Sequence, residues 1–314
     1  MMGFVRRRFR KRYILLTTLL VVFVVINAPG IFAWGYGLYY RRSVSHLPQI
    51  TLLNERMLVL SPHPDDESLC CAGAIQQVLR GGGEVWVLWF TNGDGFEWDA
   101  SLLAHTLRPQ GPASLELGRR RMEEARQAAR RLGIPEGHLF FLGYPDRGLE
   151  ALLWHSGGSP YRSRLTGVSY VPYSGTLSPG APYTGESLRR DFRRVLERVR
   201  PTLVLAPSLK DAHPDHRAVG LLAQQEVPAD RLRFWIVHGG LEWPLPKGLH
   251  PDLPLEPAPR GRGLPWQRLP LSPQERRAKL EALRAHATQM RLLARFLLAF
   301  VRENELFSSR SDVD

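Results

Sequence analysis

The chain reads as an α/β protein: a Rossmann-like, mainly parallel sheet with helices on both faces, preceded by one transmembrane helix. Three observations predict this. Short apolar runs alternate with helix-like segments from residue 56 to about residue 240, the pattern of a parallel sheet whose crossovers cover both faces. The segments "SPHPDDES" (61–68) and "DAHPDHRA" (211–218) each follow one of those runs. Between Arg12 and Arg41 lie 28 residues without a charge, and a membrane span needs about 20 apolar residues.

The N-terminal stretch is taken first. "RRRFRKR" precedes "YILLTTLLVVFVVINAPGIFAWGYGLYY", which ends rich in Trp and Tyr, as at a membrane interface. A cleaved signal peptide, with small residues near Ala28 or Ala33, is the rival reading. The length of the apolar run favours an uncleaved anchor. Six basic residues stand before the run and two follow it, so the positive-inside rule puts the N-terminus in the cytoplasm and the rest outside. The expected divisions are a basic cytoplasmic segment (1–12), an anchor (13–34), a linker (35–54) and one domain (55–314). Of the formal charge of +12, eight positive charges fall in residues 1–42, leaving +4 for 43–314. That balance, and the lack of a recognisable motif, exclude nucleic acid as a partner. The two cysteines, Cys70 and Cys71, are adjacent. Disulfide geometry fits poorly across one peptide bond, so two small buried hydrophobes are expected.

Within the domain, "RMLVLSP" (56–62) reads as a strand, and the helix after it stops at Gly81–Gly83. "EVWVLWFTNG" is strand then turn. In "SLELGRRRMEEARQAARRLG", Ser114 is the expected N-cap. Leu117, Met122, Ala125, Ala129 and Leu132 form an apolar stripe, and Gly133 ends the helix. "HLFFLG", "TLVLAPS" and "RFWIVHG" are further strands; "ESLRRDFRRVLERVRP" and "RAVGLLAQQE" are helices. A long helical stretch is expected over 272–304. Two segments are irregular: 144–186, whose Tyr and Gly suit a sugar-contacting loop or a plain surface excursion, and the proline-rich 239–273.

In parallel sheets, ligands bind beyond the carboxyl ends of strands. Both His-Pro-Asp segments fall there, so they can face each other across one crevice. His63 and Asp66 are three apart, as are His213 and His216. Imidazole nitrogen and carboxylate oxygen suit zinc, and two histidines with one carboxylate leave an open position for water. Iron(II) accepts the same ligands. Glu67 reads as a helix-start residue. His238 is expected to line the crevice, and His286 to be a satisfied structural histidine.

With these residues in view, the chain resembles the LmbE-like, or PIG-L-type, zinc-dependent de-N-acetylase family of N-acetylglucosaminyl deacetylases. The likeness covers most of 55–240 and includes "LWFTNGDG", "RRRMEEARQAARRLG" and "FLGYPD". Pro62 stands where the family pattern commonly has Ala. The resemblance implies Zn2+ held by His63, Asp66 and His216. It implies Asp65 as general base and His213 as acid or oxyanion stabiliser, with Asp215 orienting His213. It places Asp94, Arg121 and Asp146 against the sugar. The expected partners are an N-acetylated saccharide or glycolipid and, through the anchor, a membrane. Two alternatives remain: a hydrolase of another N-acyl or thiol-glycoside substrate, and a metal-holding sugar-binding module without catalysis. A pure binder needs neither Asp65 nor His213, yet both are present.

Overall fold

The computed structural model describes residues 2–106, 109–154, 159–240 and 242–312. Residues 155–158 of the first irregular stretch, Leu241 of the second and the side chains of the basic segment 1–12 lie outside that description. The elements, in chain order, are α1 (Met2–Ser45), β1 (Arg56–Ser61), α2 (Asp66–Arg80), β2 (Glu84–Thr91), α3 (Glu97–Ala104), α4 (Pro112–Arg131), β3 (Leu139–Tyr144) and α5 (Leu149–Trp154). Then come α6 (Gly185–Val199), β4 (Leu203–Pro207), α7 (Pro214–Glu226), β5 (Leu232–Trp235), β6 (Trp266–Pro270), α8 (Pro273–Ala285), α9 (Ala287–Leu298) and β7 (Asn304–Ser308).

The seven strands form one sheet in the order β3-β2-β1-β4-β5-β7-β6. The first five pair in parallel. β7 joins β5 antiparallel, and β6 joins β7 antiparallel. The parallel strands β1–β5 are largely apolar runs because both faces are covered. Met57 and Val59 of β1 pack with Ile75, Val78, Ala125, Ala129 and Leu283 from α2, α4 and α8. Leu58 and Leu60, one residue out of phase, pack with Phe192, Val195, Val219 and Leu222 from α6 and α7. At about 25 cal/mol per Å2 of apolar surface, these two layers dominate the stability of the domain.

Several elements depart from the sequence reading. α1 does not stop at residue 34; it continues to Ser45, and Tyr36 and Val44 are buried against the domain. α1 is long and apolar enough to cross a membrane. Helix α4 starts earlier than Ser114. Gly111, at φ 67°, turns the chain into Pro112 at the first helical position, and the Ser114 hydroxyl donates to the Pro109 carbonyl at 2.7 Å. The expected stripe on α4 is buried throughout. The terminal helical stretch breaks at His286 into α8 and α9, then ends in a strand. β6 lies in the proline-rich stretch, where pairing with β7 imposes extension that the local sequence does not announce. Cys70 and Cys71 are both buried, as expected, but they are joined by a disulfide rather than free. The tyrosines of the first irregular stretch turn inward. Tyr173 and Tyr183 are buried, and the segment folds down on β3 through a Leu177 N–H to Phe141 carbonyl bond of 2.8 Å.

Candidate active site

β1 and β4 lie side by side, but the chain goes from β1 to β2 and β3 on one flank and from β4 to β5 on the other. This is the switch point at which a parallel sheet opens a crevice. His63 follows the end of β1 by two residues. His213 caps α7, which carries His216 in its first turn. The two His-Pro-Asp segments therefore meet because their strands are neighbours.

Three donor atoms from them form a nearly equilateral triangle. His63 Nδ1 is 3.2 Å from Asp66 Oδ2, His216 Nε2 is 3.2 Å from the same oxygen, and the two nitrogens are 3.3 Å apart. A tetrahedral zinc with bonds of about 2.0–2.1 Å holds its ligands about 3.3–3.4 Å from one another. The far nitrogens of both rings meet carboxylates. His63 Nε2 is 3.2 Å from Asp146 Oδ1 and 3.2 Å from Asp215 Oδ2; His216 Nδ1 is 3.2 Å from Asp211 Oδ2. Such partners keep hydrogens on the outer nitrogens and leave the inner lone pairs converging. Burial lowers the pKa of His216, but Asp211 and Asp66 outweigh it and push the ring up to about 9. The field here favours a positive charge. Spacing, donor chemistry and field all fit one divalent ion.

Asp65 stands beside the triangle without joining it. Its φ of 125° turns the backbone sharply between the two aspartates. Its carboxylate lines a cavity of about 220 Å3 together with His63, Asp146, Arg121, His213 and His238. Burial raises its pKa, Arg121 opposes this and the Asp66 charge adds to it, leaving it at about 7.

Glu67 braces the loop. Glu67 is a helix-start residue, as expected, yet it is fully buried and accepts five hydrogen bonds. Its Oε2 takes the Asp65 N–H (3.1 Å), the Trp89 Nε1–H (2.9 Å) and the Ser61 hydroxyl (3.3 Å). Its Oε1 takes the Ser68 hydroxyl (2.7 Å) and faces His286 Nε2 at 2.9 Å. His286 is thus a buried, paired histidine at the break between α8 and α9. Arg121 donates to the Pro64 carbonyl (2.5 Å), the Gly93 carbonyl (2.8 Å) and Asp65 Oδ2 (3.2 Å).

His213 differs from the reading in one respect. Its Nδ1 accepts from Asp215, but from the backbone N–H, at 3.2 Å. The Asp215 carboxylate instead serves His63 and takes the backbone N–H groups of Arg147 (2.6 Å) and Leu149 (3.0 Å). Accepting at Nδ1 leaves the neutral His213 ring with its hydrogen on Nε2. Burial and the neighbouring His63 and His216 hold its pKa well below the usual histidine value. Asp94 does not line the cavity. It is fully buried and accepts the Tyr173 hydroxyl at 2.5 Å. Asp146 and Arg121 do line it, as does His238. Asp211 was missed from sequence. Besides His216, it takes the backbone N–H groups of His213, Val237 and His238, which ties the β4 loop to the end of β5. Its signal was there in "DAHPDH", an acid five residues before His216.

Residues 58–227, more than half of the chain, match the family described as PIG-L: GlcNAc-PI de-N-acetylase. The chain belongs to this family. Among curated proteins it is similar to the diacetylchitobiose deacetylase of Thermococcus kodakarensis, with 27% identity over 176 residues, 55% of this chain and 49% of that one. The chain thus spans about half the length of the curated relative it matches. Among solved structures, the A40926 pseudoaglycone deacetylase Dbv21 superposes with a TM-score of 0.51 at 21% identity, over 83% of this chain and all of that one. The N,N'-diacetylchitobiose deacetylase of Pyrococcus horikoshii gives 0.47 at 21% identity, over 81% and 83%. The PIG-L match begins inside β1 and ends just past α7, so it contains both sides of the crevice.

Proposed function

We propose that this PIG-L member is a metal-dependent hydrolase that removes the N-acetyl group from an N-acetylglucosamine-containing saccharide or glycolipid. The observation that carries the reading is Asp65. It is a buried carboxylate beside the triangle of His63, Asp66 and His216, outside it, and titrating near neutrality. A protein that only held a metal and a sugar would gain nothing from such a group. The name of the curated relative, a diacetylchitobiose deacetylase, supports an amino-sugar substrate.

His63 Nδ1, Asp66 and His216 Nε2 would hold Zn2+, or another divalent ion such as Fe2+, which would supply Lewis acidity toward water and the acetyl carbonyl. Asp65 accepts the proton of the attacking water. Arg121 keeps that carboxylate in place and Glu67 keeps its backbone in place. His213, with its hydrogen on Nε2, donates a hydrogen bond to the oxygen that gains negative charge, and the proton that Asp65 took from the water passes to the leaving nitrogen. Asp146, a buried carboxylate lining the cavity beside His63, is the side chain assigned to a sugar hydroxyl.

The reading extends to location. α1 is taken as an uncleaved anchor with its N-terminus in the cytoplasm, so the catalytic domain (55–314) works outside. The test is incubation of the full chain, in detergent and loaded with zinc, with N,N'-diacetylchitobiose and with an N-acetylglucosaminyl lipid. Acetate release that disappears in Asp65→Asn supports the reading. Tight sugar binding with no acetate from either substrate overturns it in favour of a binding module.

A further inference from the structure

The domain carries an exposed apolar stripe that begins where α1 docks. α1 is held on the domain at Tyr36–Arg41. Gly37 lies so close to Leu253 that a Cβ there would sit 2.8 Å from its Cδ2, and Arg41 donates to the Asp252 carbonyl at 2.7 Å. Trp34, Tyr36, Tyr39 and Tyr40 mark this part of the helix as the level of a membrane interface. The loop carrying Leu253 continues the surface. Leu249 is 41% exposed, and the neighbouring Gly248 N–H donates to the Arg295 carbonyl of α9 at 2.8 Å. Along α9 the outward residues are Arg291, Leu292 and Arg295, with Leu292 41% exposed. Across from them stands α3 with Trp98, 74% exposed, and Leu102. Between α3 and α9 lies an apolar groove of about 1050 Å3. Two of its wall residues, Phe96 and Leu293, also line the catalytic cavity.

We propose that this face rests on an anionic lipid bilayer, with Trp98, Leu102, Leu249 and Leu292 in the interface and Arg291 and Arg295 at the headgroups. The inference rests on the reading of α1 as a membrane helix. A stripe of Trp and Leu flanked by arginines is the composition of an interfacial contact rather than of an ordinary solvated surface. Its position supplies the rest. A rigid helix end at interface height fixes the height of the loop beside it; that loop is hydrogen-bonded to α9, and α9 forms one wall of the groove, which shares Phe96 and Leu293 with the catalytic cavity. The bilayer thereby covers the apolar face and holds the cavity next to the lipid surface.

The full chain is placed in nanodiscs of phosphatidylcholine and phosphatidylglycerol whose acyl chains are brominated, and tryptophan fluorescence is compared with unbrominated discs. Trp154 on α5 is the control, because it is 71% exposed but sits on the α6–α7 side of the sheet. The expected result is that Trp98→Phe removes part of the quenchable emission, whereas Trp154→Phe removes only unquenched emission. Leu292→Cys carrying an environment-sensitive dye should shift to the blue in discs relative to detergent. Equal quenching of the unmodified chain and Trp98→Phe, with no dye shift, overturns the proposal while leaving α1 and the deacetylase reading in place. Quenching of Trp98 by a brominated alkyl glycoside but not by brominated lipid also overturns it, in favour of a pocket for the substrate's own chain. Failure of the chain to enter discs at all overturns both this proposal and the anchor.

Discussion

Glu67 Oε2 accepts the backbone N–H of Asp65 at 3.1 Å, reaching back over Asp66. The residue after Asp66, whose carboxylate belongs to the triangle, thus fixes the residue before it. The same carboxylate is pinned by Trp89 of β2 and His286 of the distant α8–α9 break. The first loop of the site therefore takes its shape from three separate parts of the chain.

Replacing Glu67 by Gln tests this. A glutamine side chain offers one acceptor and one amide nitrogen where five donors converge, so at least one buried donor loses its partner. That costs about 1–3 kcal/mol. A displaced Asp65 should lower kcat on the order of 10²-fold, since small shifts of a catalytic group are felt strongly. KM and metal content should change little. Calorimetry, metal analysis and steady-state kinetics on one preparation separate the two effects. Normal kcat with a lowered Tm would reduce Glu67 to a purely stabilising residue.

The triangle predicts one tightly bound divalent ion per chain. Alanine at His63, Asp66 or His216 should abolish tight binding, because each removes one of three converging donors. Asp211→Asn should retain the ion but weaken it by about 10–100-fold, as expected when the group behind a ligating histidine is lost. Competition with a chromogenic chelator measures this directly. Full affinity in Asp211→Asn would show that the Asp211–His216 contact does not tune the site. Chelation of the unmodified chain should lower Tm, and added zinc should restore it.

Asp94 gives a prediction about stability rather than activity. Burial and the Asp146 charge push its pKa up to about 7, although the Tyr173 hydroxyl opposes them. The folded state therefore holds a proton that the unfolded state releases near the ordinary aspartate value of about 3.9. Between about pH 4 and 7 the folded state binds more protons, so its stability falls as pH rises. Asn at this position carries no charge and can still accept from Tyr173. Asp94→Asn should be more stable than the unmodified chain at pH 8, by an amount on the order of a few kcal/mol, and should lose that advantage near pH 4. Parallel denaturant titrations across pH give the difference, and identical pH profiles would remove the argument.

What the sequence made legible is what short-range chemistry determines. Strands alternated with helices, each His-Pro-Asp fell at a strand end, and His63 and Asp66 stand three apart, so the crevice and the convergence of His63, Asp66 and His216 could be read directly. Long-range pairing could not. His286 and Glu67 are 219 residues apart, and Tyr173 reaches Asp94 across 79. Neither pair leaves a periodicity. Asp94 sits in a turn beside the site, which made a sugar contact reasonable, but the tyrosine loop folded inward and covered it. β6 was hidden because its extension comes from β7, not from its own prolines and arginines.

The last prediction concerns the two adjacent aspartates. The φ of 125° at Asp65 separates their directions, so one carboxylate belongs to the triangle and the other faces the cavity. Asp65→Asn keeps shape and metal while removing basicity. Acetate release should fall by about 10²–10⁴, the usual contribution of a positioned general base. A base works deprotonated, so kcat/KM of the unmodified enzyme should rise with pH and level off above its pKa. Burial and Asp66 push that pKa up and Arg121 pulls it down, to about 7 before any cation is bound. A bound divalent ion adds positive charge nearby and lowers it further. The acidic limb of the profile should therefore lie below pH 7 in the zinc enzyme, and the residual activity of Asp65→Asn should lack it. Asp66→Asn should behave differently, losing metal first and recovering part of its activity in excess zinc. If Asp65→Asn keeps its metal and retains both full turnover and the acidic limb, the base is another group. Asp146, the other carboxylate lining the cavity outside the triangle, would then be the next residue to replace.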